Sequence, residues 1–158
     1  MTSEVKGSRS PIAATSTLRE LVTRSPEETE AAGARLAGHL RRGQLLLLSG
    51  PLGAGKTTFV RGLARGLGVT GEVQSPTFQL VRLHRGDIPL AHLDVHRLPE
   101  GALLSDLGLE DLLDEGAAVV EWGDRLPAGA ATGTVSIEVL GIHHRRISID
   151  AGPTEWSL

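Results

Sequence analysis

Cysteine is absent from the 158-residue chain, so no disulfide, thiolate nucleophile, zinc finger or iron–sulfur cluster can form. Long apolar runs are missing too. None exceeds four residues, the length of Leu45 to Leu48, far short of the ~20 residues that span a bilayer, and the amino terminus has no charged-then-apolar signal pattern. A soluble, cytoplasmic protein is expected. An excess of positive charge is also lacking: 16 Lys+Arg against 19 Asp+Glu give a net charge of -3. That balance excludes a clamp that neutralises many nucleic-acid phosphates by itself, so any RNA contact is expected to come through a partner. Aromatic residues are scarce, namely Phe59, Phe78, Trp122 and Trp156, and Trp122 reads as a core anchor. Lysine is scarcest of the basic residues. Only Lys6 and Lys56 stand against fourteen arginines, a bias that GC-rich coding explains but that leaves Lys56 conspicuous, because an ammonium and a guanidinium are not interchangeable.

What remains is apolar enough for one domain. Hydrophobic residues make up 40% and there are 20 glycines, and a chain of this size buries roughly 70% of its unfolded surface without a metal or disulfide. Residues 1–15 lack any hydrophobic period and read as a disordered arm, leaving 16–158 as a single domain. A short strand-like stretch through Leu18, Leu21 and Val22 leads to Ser25-Pro26-Glu27-Glu28. Ser as N-cap, Pro at the first helical position and Glu at the third form a capping box worth ~1 kcal/mol. The helix it opens has Thr29, Ala32, Gly33, Leu36 and Leu40 on one face and is expected to end at Arg41-Arg42-Gly43. Gln44–Ser49 then reads as a strand buried on both faces. A second helix follows, with Val60, Leu63, Ala64 and Leu67 inward and Arg61 and Arg65 outward.

Beyond Gly68 the pattern turns toward strands. Phe78–His84 and Ile88–Asp94 flank Arg85-Gly86-Asp87 as a hairpin, with Pro89 implying an edge position or a ragged start. The stretch 99–115 reads as helix in pieces broken by Gly101 and Gly108. Ala117–Trp122 reads as a buried strand, and Val135–Leu140 with Arg146–Asp150 as a last hairpin whose turn holds His143 and His144. The expected fold class is α/β: a small mixed sheet with a parallel centre and antiparallel edge strands, flanked by helices.

Gly50-Pro51-Leu52-Gly53-Ala54-Gly55-Lys56-Thr57 matches G-x-x-x-x-G-K-[ST] between a buried strand and an amphipathic helix, the context that a phosphate-binding P-loop requires. Glycines let main-chain N–H groups close around a phosphate chain. Lys56 supplies a point charge to the β- and γ-phosphates, the Thr57 hydroxyl reaches magnesium, and the helix N-terminus adds partial positive charge. A P-loop NTPase is the firm reading, but the loop alone does not separate a kinase, a switch and a motor. Magnesium also wants carboxylates at neighbouring strand ends. Asp94 and Glu121 each close a strand, and each is a candidate for metal or water positioning, with a structural salt bridge as the plainer alternative. His92 and His96 flank Asp94, yet no further ligands support zinc, so ordinary packing or hydrogen bonding is expected of them. Ser75-Pro76-Thr77-Phe78 is either a strand-entry turn or a switch segment whose hydroxyls sense a γ-phosphate.

Taken in order, the P-loop with its T-T-F extension, then S-P-T-F, H-L-D-V-H-R-L and V-E-W, resembles the TsaE (YjeE) family, small bacterial P-loop ATPases of tRNA threonylcarbamoyladenosine synthesis. The resemblance runs from about Ser25 to Ile149. It implies an ATP-binding, slowly hydrolysing, magnesium-dependent subunit that joins TsaB and TsaD, is not itself the transferase, and meets tRNA indirectly. On motif matching, Gly53, Ala54, Gly55, Lys56, Thr57 and Thr58 hold the phosphates. Thr57 and Glu121 bind magnesium, Asp94 orients metal or water, and Ser75 and Thr77 form the switch segment. Ser25 and Pro26 neighbour the adenine, and Arg145 is a further nucleotide-contact candidate. Two positions depart from the family pattern. Pro51 stands where Asp is usual, removing a carboxylate and one loop N–H, and His96 replaces the usual Tyr.

Other P-loop classes fit less well. A small-molecule kinase needs an acceptor pocket and usually an Arg-bearing lid, for which the short interval between Lys56 and Asp94 leaves little room. With no lysine besides Lys6 and Lys56, the N-K-x-D guanine-reading motif is absent, and no L-S-G-G-Q signature of transporter ATPases occurs.

Overall fold

The computed structural model describes residues 18–71, 81–95, 108–121 and 132–150. In chain order these form β1 (Leu18–Thr23), α1 (Pro26–Ala37), β2 (Leu45–Ser49), α2 (Lys56–Gly66), β3 (Val81–His84), β4 (Leu90–Asp94), α3 (Leu109–Glu115), β5 (Ala117–Glu121), β6 (Gly133–Val139) and β7 (Arg145–Asp150). The strands make one sheet in the order β1-β7-β6-β2-β5-β4-β3. β2 runs parallel to both β5 and β6, and β4 parallel to β5. β3 joins β4, β7 joins β6 and β1 joins β7 antiparallel. The parallel centre and antiparallel margins are those expected from the sequence. The segment 1–17, with the proposed arm, lies outside the described residues, as do Ser75, Thr77, His96, Gly101, Trp122 and Trp156.

These pairings fix where a ligand can sit. β1, β6, β2, β5 and β4 all point the same way, so their last residues, Thr23, Val139, Ser49, Glu121 and Asp94, gather along one margin of the sheet. The crevice beyond the carboxyl ends of strands is where open α/β sheets bind ligands.

The sheet has two cores. On one face α1 and α2 pack over Leu46, Leu48, Leu90, Val119, Val135, Ile137, Ile147 and Ile149. On the other, Leu109, Leu112 and Leu113 of α3 pack against Leu45, Ala91, Leu93, Ala118 and Val120. Strands covered on both sides have no polar face, and every residue of β5 is buried. β6 instead alternates buried Val135 and Ile137 with exposed Thr134, Ser136 and Glu138, the period-two pattern read from its sequence.

Local signals place the element ends, with three adjustments. Ser25 caps α1 by accepting from Glu28 N at 3.1 Å, while Glu28 Oε1 accepts from Arg24 N at 2.8 Å. The reciprocal bond of the box therefore reaches the residue before the cap. α1 ends at Ala37, earlier than Arg41. Gly38, His39 and Leu40 each donate to a carbonyl three residues back, a tighter turn that still buries Leu40. Arg41 Nη1 donates to Gly38 O at 3.0 Å and so still serves the helix end. Pro89 marks a ragged start but not an edge: β4 begins one residue later and lies between β3 and β5. The Pro89 carbonyl accepts from Ala117 N at 2.9 Å, so pairing with β5 begins at the proline itself.

One buried group makes the fold acid-sensitive. His84 is buried at the end of β3, its Nε2 has no hydrogen-bond partner among the described residues, and burial, His92 and Arg82 together hold its pKa below the ordinary 6.5. Because the folded value is the lower one, the stabilisation is complete above about 6.5 and is lost as pH falls toward the folded value. His84→Leu, opposite Leu90 in the ladder, is expected to lose less stability than the wild type between pH 7.5 and 5.5. Urea midpoints at the two pH values measure this, and parallel losses in both proteins would rule it out.

Candidate nucleotide-binding site

The loop leaving β2 has the backbone that the glycines predicted. Gly53 and Gly55 have φ of 79° and 102°, a region that side-chain-bearing residues rarely adopt. Gly55 is the residue before α2, and no side chain among the described residues caps that helix. Its first turn stands at the positive end of the helix dipole, a place that favours an anion.

Lys56 is buried at the start of α2, where its Nζ donates to Gly50 O at 2.7 Å. The side chain folds back across the loop to the residue just after β2. Burial pushes its pKa below the ordinary lysine value, while the charges of Glu121 and Asp94 pull it up. A cation in that position gains from any anion brought to the loop.

The two carboxylates stand where the strands put them. Asp94 and Glu121 are register partners at the ends of β4 and β5, so the two parallel strands on that side of β2 each end in an acid. Glu121 is 5% exposed and hydrogen-bonded to the fully buried His92 through Oε2 and Nε2. The bond expected of His92 is thereby found, with Glu121 as its partner.

Ser25, Pro26 and Thr29 of α1 face Gly53–Gly55 and Thr58 across a cavity of about 150 Å³, closed on a third side by Ile142 and His143. Ser25 and Pro26 reach it because β1 ends at the same sheet margin. There Thr23 and Thr29 share a buried hydroxyl–hydroxyl bond of 2.7 Å. Arg145 lines this cavity too, but its guanidinium is directed at main-chain carbonyls. Nε donates to Ala54 O at 2.9 Å, Nη2 to Gly53 O at 3.3 Å, and Nη1 to Gly141 O at 2.8 Å. It therefore ties the β6–β7 turn to the loop.

The structure thus brings together Ser25, Pro26, Gly53, Ala54, Gly55, Lys56, Thr57, Thr58, Asp94, Glu121 and Arg145, whereas Ser75 and Thr77 fall outside the described residues. Sequence reasoning missed Thr29, Ile142 and His143 as lining residues. Thr29 carried a signal, being a hydroxyl on an otherwise apolar helix face. Ile142 carried none. Among the described residues no group of three or more His, Asp and Glu is placed to hold a metal ion.

Fold and loop together define a P-loop NTPase. Comparison with known proteins narrows this further. The profile of the family described as threonylcarbamoyl adenosine biosynthesis protein TsaE matches residues 23–147, and the chain belongs to that family. The tRNA threonylcarbamoyladenosine biosynthesis protein TsaE of Treponema pallidum is 38% identical over 131 residues, covering 81% of this chain and 97% of that one. The TsaE proteins of Streptomyces coelicolor and Bacillus subtilis are 53% and 44% identical, over 58% and 63% of this chain. Those two alignments span just under two thirds of the relatives, 65% and 63%. The crystal structure of Bacillus subtilis YdiB superposes with a TM-score of 0.72 at 32% identity, covering 87% of both chains. The family takes part in tRNA threonylcarbamoyladenosine biosynthesis. Among the described residues no helix is long and apolar enough to cross a membrane.

Proposed function

We propose that this chain is the ATP-binding, magnesium-dependent and slowly hydrolysing subunit of a cytoplasmic complex that makes threonylcarbamoyladenosine in tRNA, with TsaB and TsaD as its partners. The observation that carries the reading is Lys56, a buried ammonium folded onto the Gly50 carbonyl with Asp94 and Glu121 close enough for their charges to act on it. A loop of glycines in left-handed conformation around a buried cation suits a polyphosphate far better than a neutral ligand.

The side chains divide the work. Loop amides and Lys56 hold the phosphates, and the cavity bounded by Ser25, Pro26 and Thr29 takes the base. Thr57, Glu121 and Asp94 offer hard oxygen donors that fit magnesium, which when bound offsets charge that develops on the phosphates. Asp94 also orients the attacking water. Catalysis of this kind is positioning and charge neutralisation, and a cation supplied by a partner would accelerate it. tRNA is met through the complex, in keeping with the chain's net charge of -3.

Phosphate release from ATP is expected to be slow with the chain alone and to rise about tenfold or more on adding TsaB and TsaD, a modest gain beside what an arginine finger in trans supplies. Equal rates in the two conditions would exclude the partner-dependent cycle.

A further inference from the structure

His92 has no part in the site as read from sequence, yet it is a buried polar side chain bonded directly to one of the carboxylates. It is fully buried in β4. Its register partner is Val119, two residues before Glu121 on β5, which makes His92 and Glu121 diagonal neighbours on one face of two paired strands. Nε2 is hydrogen-bonded to Glu121 Oε2, and Nδ1 is buried with no partner among the described residues.

The unpartnered nitrogen identifies the tautomer. With the proton on Nε2, the ring donates to an ionised carboxylate and the atom left over is a bare acceptor. With the proton on Nδ1, the same contact needs a protonated carboxyl and strands an N–H donor in the core. A doubly protonated ring strands a charged donor. Orphaned donors, and charges above all, cost more when buried than an idle lone pair. An Nε2–H that donates to Glu121 Oε2 is the arrangement that leaves only a lone pair without a partner among the described residues.

We propose that His92 is a positioning residue that holds the Glu121 carboxylate, through Oε2, in the orientation needed to take magnesium; this rests on the nucleotide reading above. Glu121 also feels the charge of Lys56. A carboxylate anchored through one oxygen to a rigid neighbouring strand is kept from swinging into a closed ion pair with that ammonium, so its second oxygen is retained for a cation. Residues that fix a metal-binding carboxylate in this way are typically worth about 10- to 100-fold in metal affinity. A histidine buried merely to fill space would not act selectively on the metal.

The test is calorimetric titration of ATP into the full chain, in EDTA and across a magnesium series, for wild type, His92→Leu and His92→Gln. The glutamine amide of the last variant replaces the Nε2 donor and leaves no charge. In EDTA all three are expected to bind ATP within about twofold. In the series, the magnesium concentration giving half the gain in affinity is expected to rise about 10- to 100-fold in His92→Leu and to return toward wild type in His92→Gln. An unchanged magnesium requirement in His92→Leu, or an equal loss of ATP affinity in EDTA, overturns the assignment while leaving the nucleotide site intact. A wild type that binds no ATP in either condition overturns the nucleotide reading and this inference with it. Nitrogen-15 spectra of the wild-type imidazoles need no variant to fold: a neutral Nε2–H ring at His92 supports the proposal, and a proton on Nδ1 overturns it.

Discussion

Replacing Lys56 by alanine is expected to weaken ATP binding by about 100-fold or more while leaving the apo fold within ~1 kcal/mol of wild type. The first part follows from charge. Hydrogen bonds to ionised groups contribute ~1.5–3 kcal/mol each, ~1.4 kcal/mol is a factor of ten, and a P-loop lysine reaches two phosphates. The second part follows from the setting. A lysine in the first turn of α2 opposes the helix dipole and is buried, so its loss forfeits the Gly50 bond but also relieves a desolvated charge. Burial lowers the folded pKa of Lys56, and the folded protein therefore releases this proton before the unfolded chain does. That stabilising increment is complete above the ordinary lysine value and is lost as pH falls through the folded value. In alkaline thermal melts the wild type should gain stability relative to Lys56→Ala as pH rises. Calorimetry with ATP and magnesium tests the binding arm, and near wild-type affinity in Lys56→Ala would remove the basis for the phosphate-binding role of the loop.

The separation of binding from stability in that variant reflects what a sequence reveals and what it conceals. The P-loop was legible because each of its residues answers a local requirement: left-handed backbone at Gly53 and Gly55, a point charge at Lys56, and a helix immediately after. β2 and β5 were legible as unbroken apolar runs, and β6 as an alternating one. Asp94 and Glu121 could be nominated from their places at strand ends, although their adjacency depends on β4 and β5 being neighbours, which no spacing in the chain announces. The His92–Glu121 bond was invisible for the same reason, since the two residues are 29 positions apart. Arg145 shows a related limit. An arginine near a phosphate loop invites assignment to the nucleotide, and Arg145 does line the cavity, but its guanidinium also bonds the carbonyls of Gly53 and Ala54, a tie that depends on β6 lying beside β2. The early end of α1 was hidden because Leu40 stays buried whether the backbone is α-helical or the tighter turn that follows Gly38. Hydrophobic period reports which side chains are inside and only indirectly which hydrogen bonds hold them there.

The glycines of the helix pair carry the other large expected effect. α1 and α2 approach so closely that a Cβ on Gly62 would lie 1.8 Å from Glu30 O, and one on Gly33 would lie 2.2 Å from Phe59 O. Both obstacles are backbone, which cannot rotate aside as a side chain can. Gly62→Ala would gain ~1 kcal/mol of helix propensity, but relieving the clash means prising the helices apart over a core that includes Phe59, Leu63 and Leu36. Overpacking of a tight core costs ~1–3 kcal/mol and more where backbone must move, so a net loss of about 2 kcal/mol or more and a melting point lower by roughly 4–8 °C are expected. The loss should extend to the site. α1 carries Ser25, Pro26 and Thr29 and α2 begins at Lys56, so parting the helices also parts the two walls of the cavity. ATP affinity should therefore fall together with stability, unlike in Lys56→Ala, where affinity falls alone. Gly71→Ala, where an added Cβ meets nothing within 4 Å, is the control and should change neither. If Gly62→Ala melted at the wild-type temperature and bound ATP as the wild type does, the close approach of the helices would not be what holds the two walls of the candidate cavity in place.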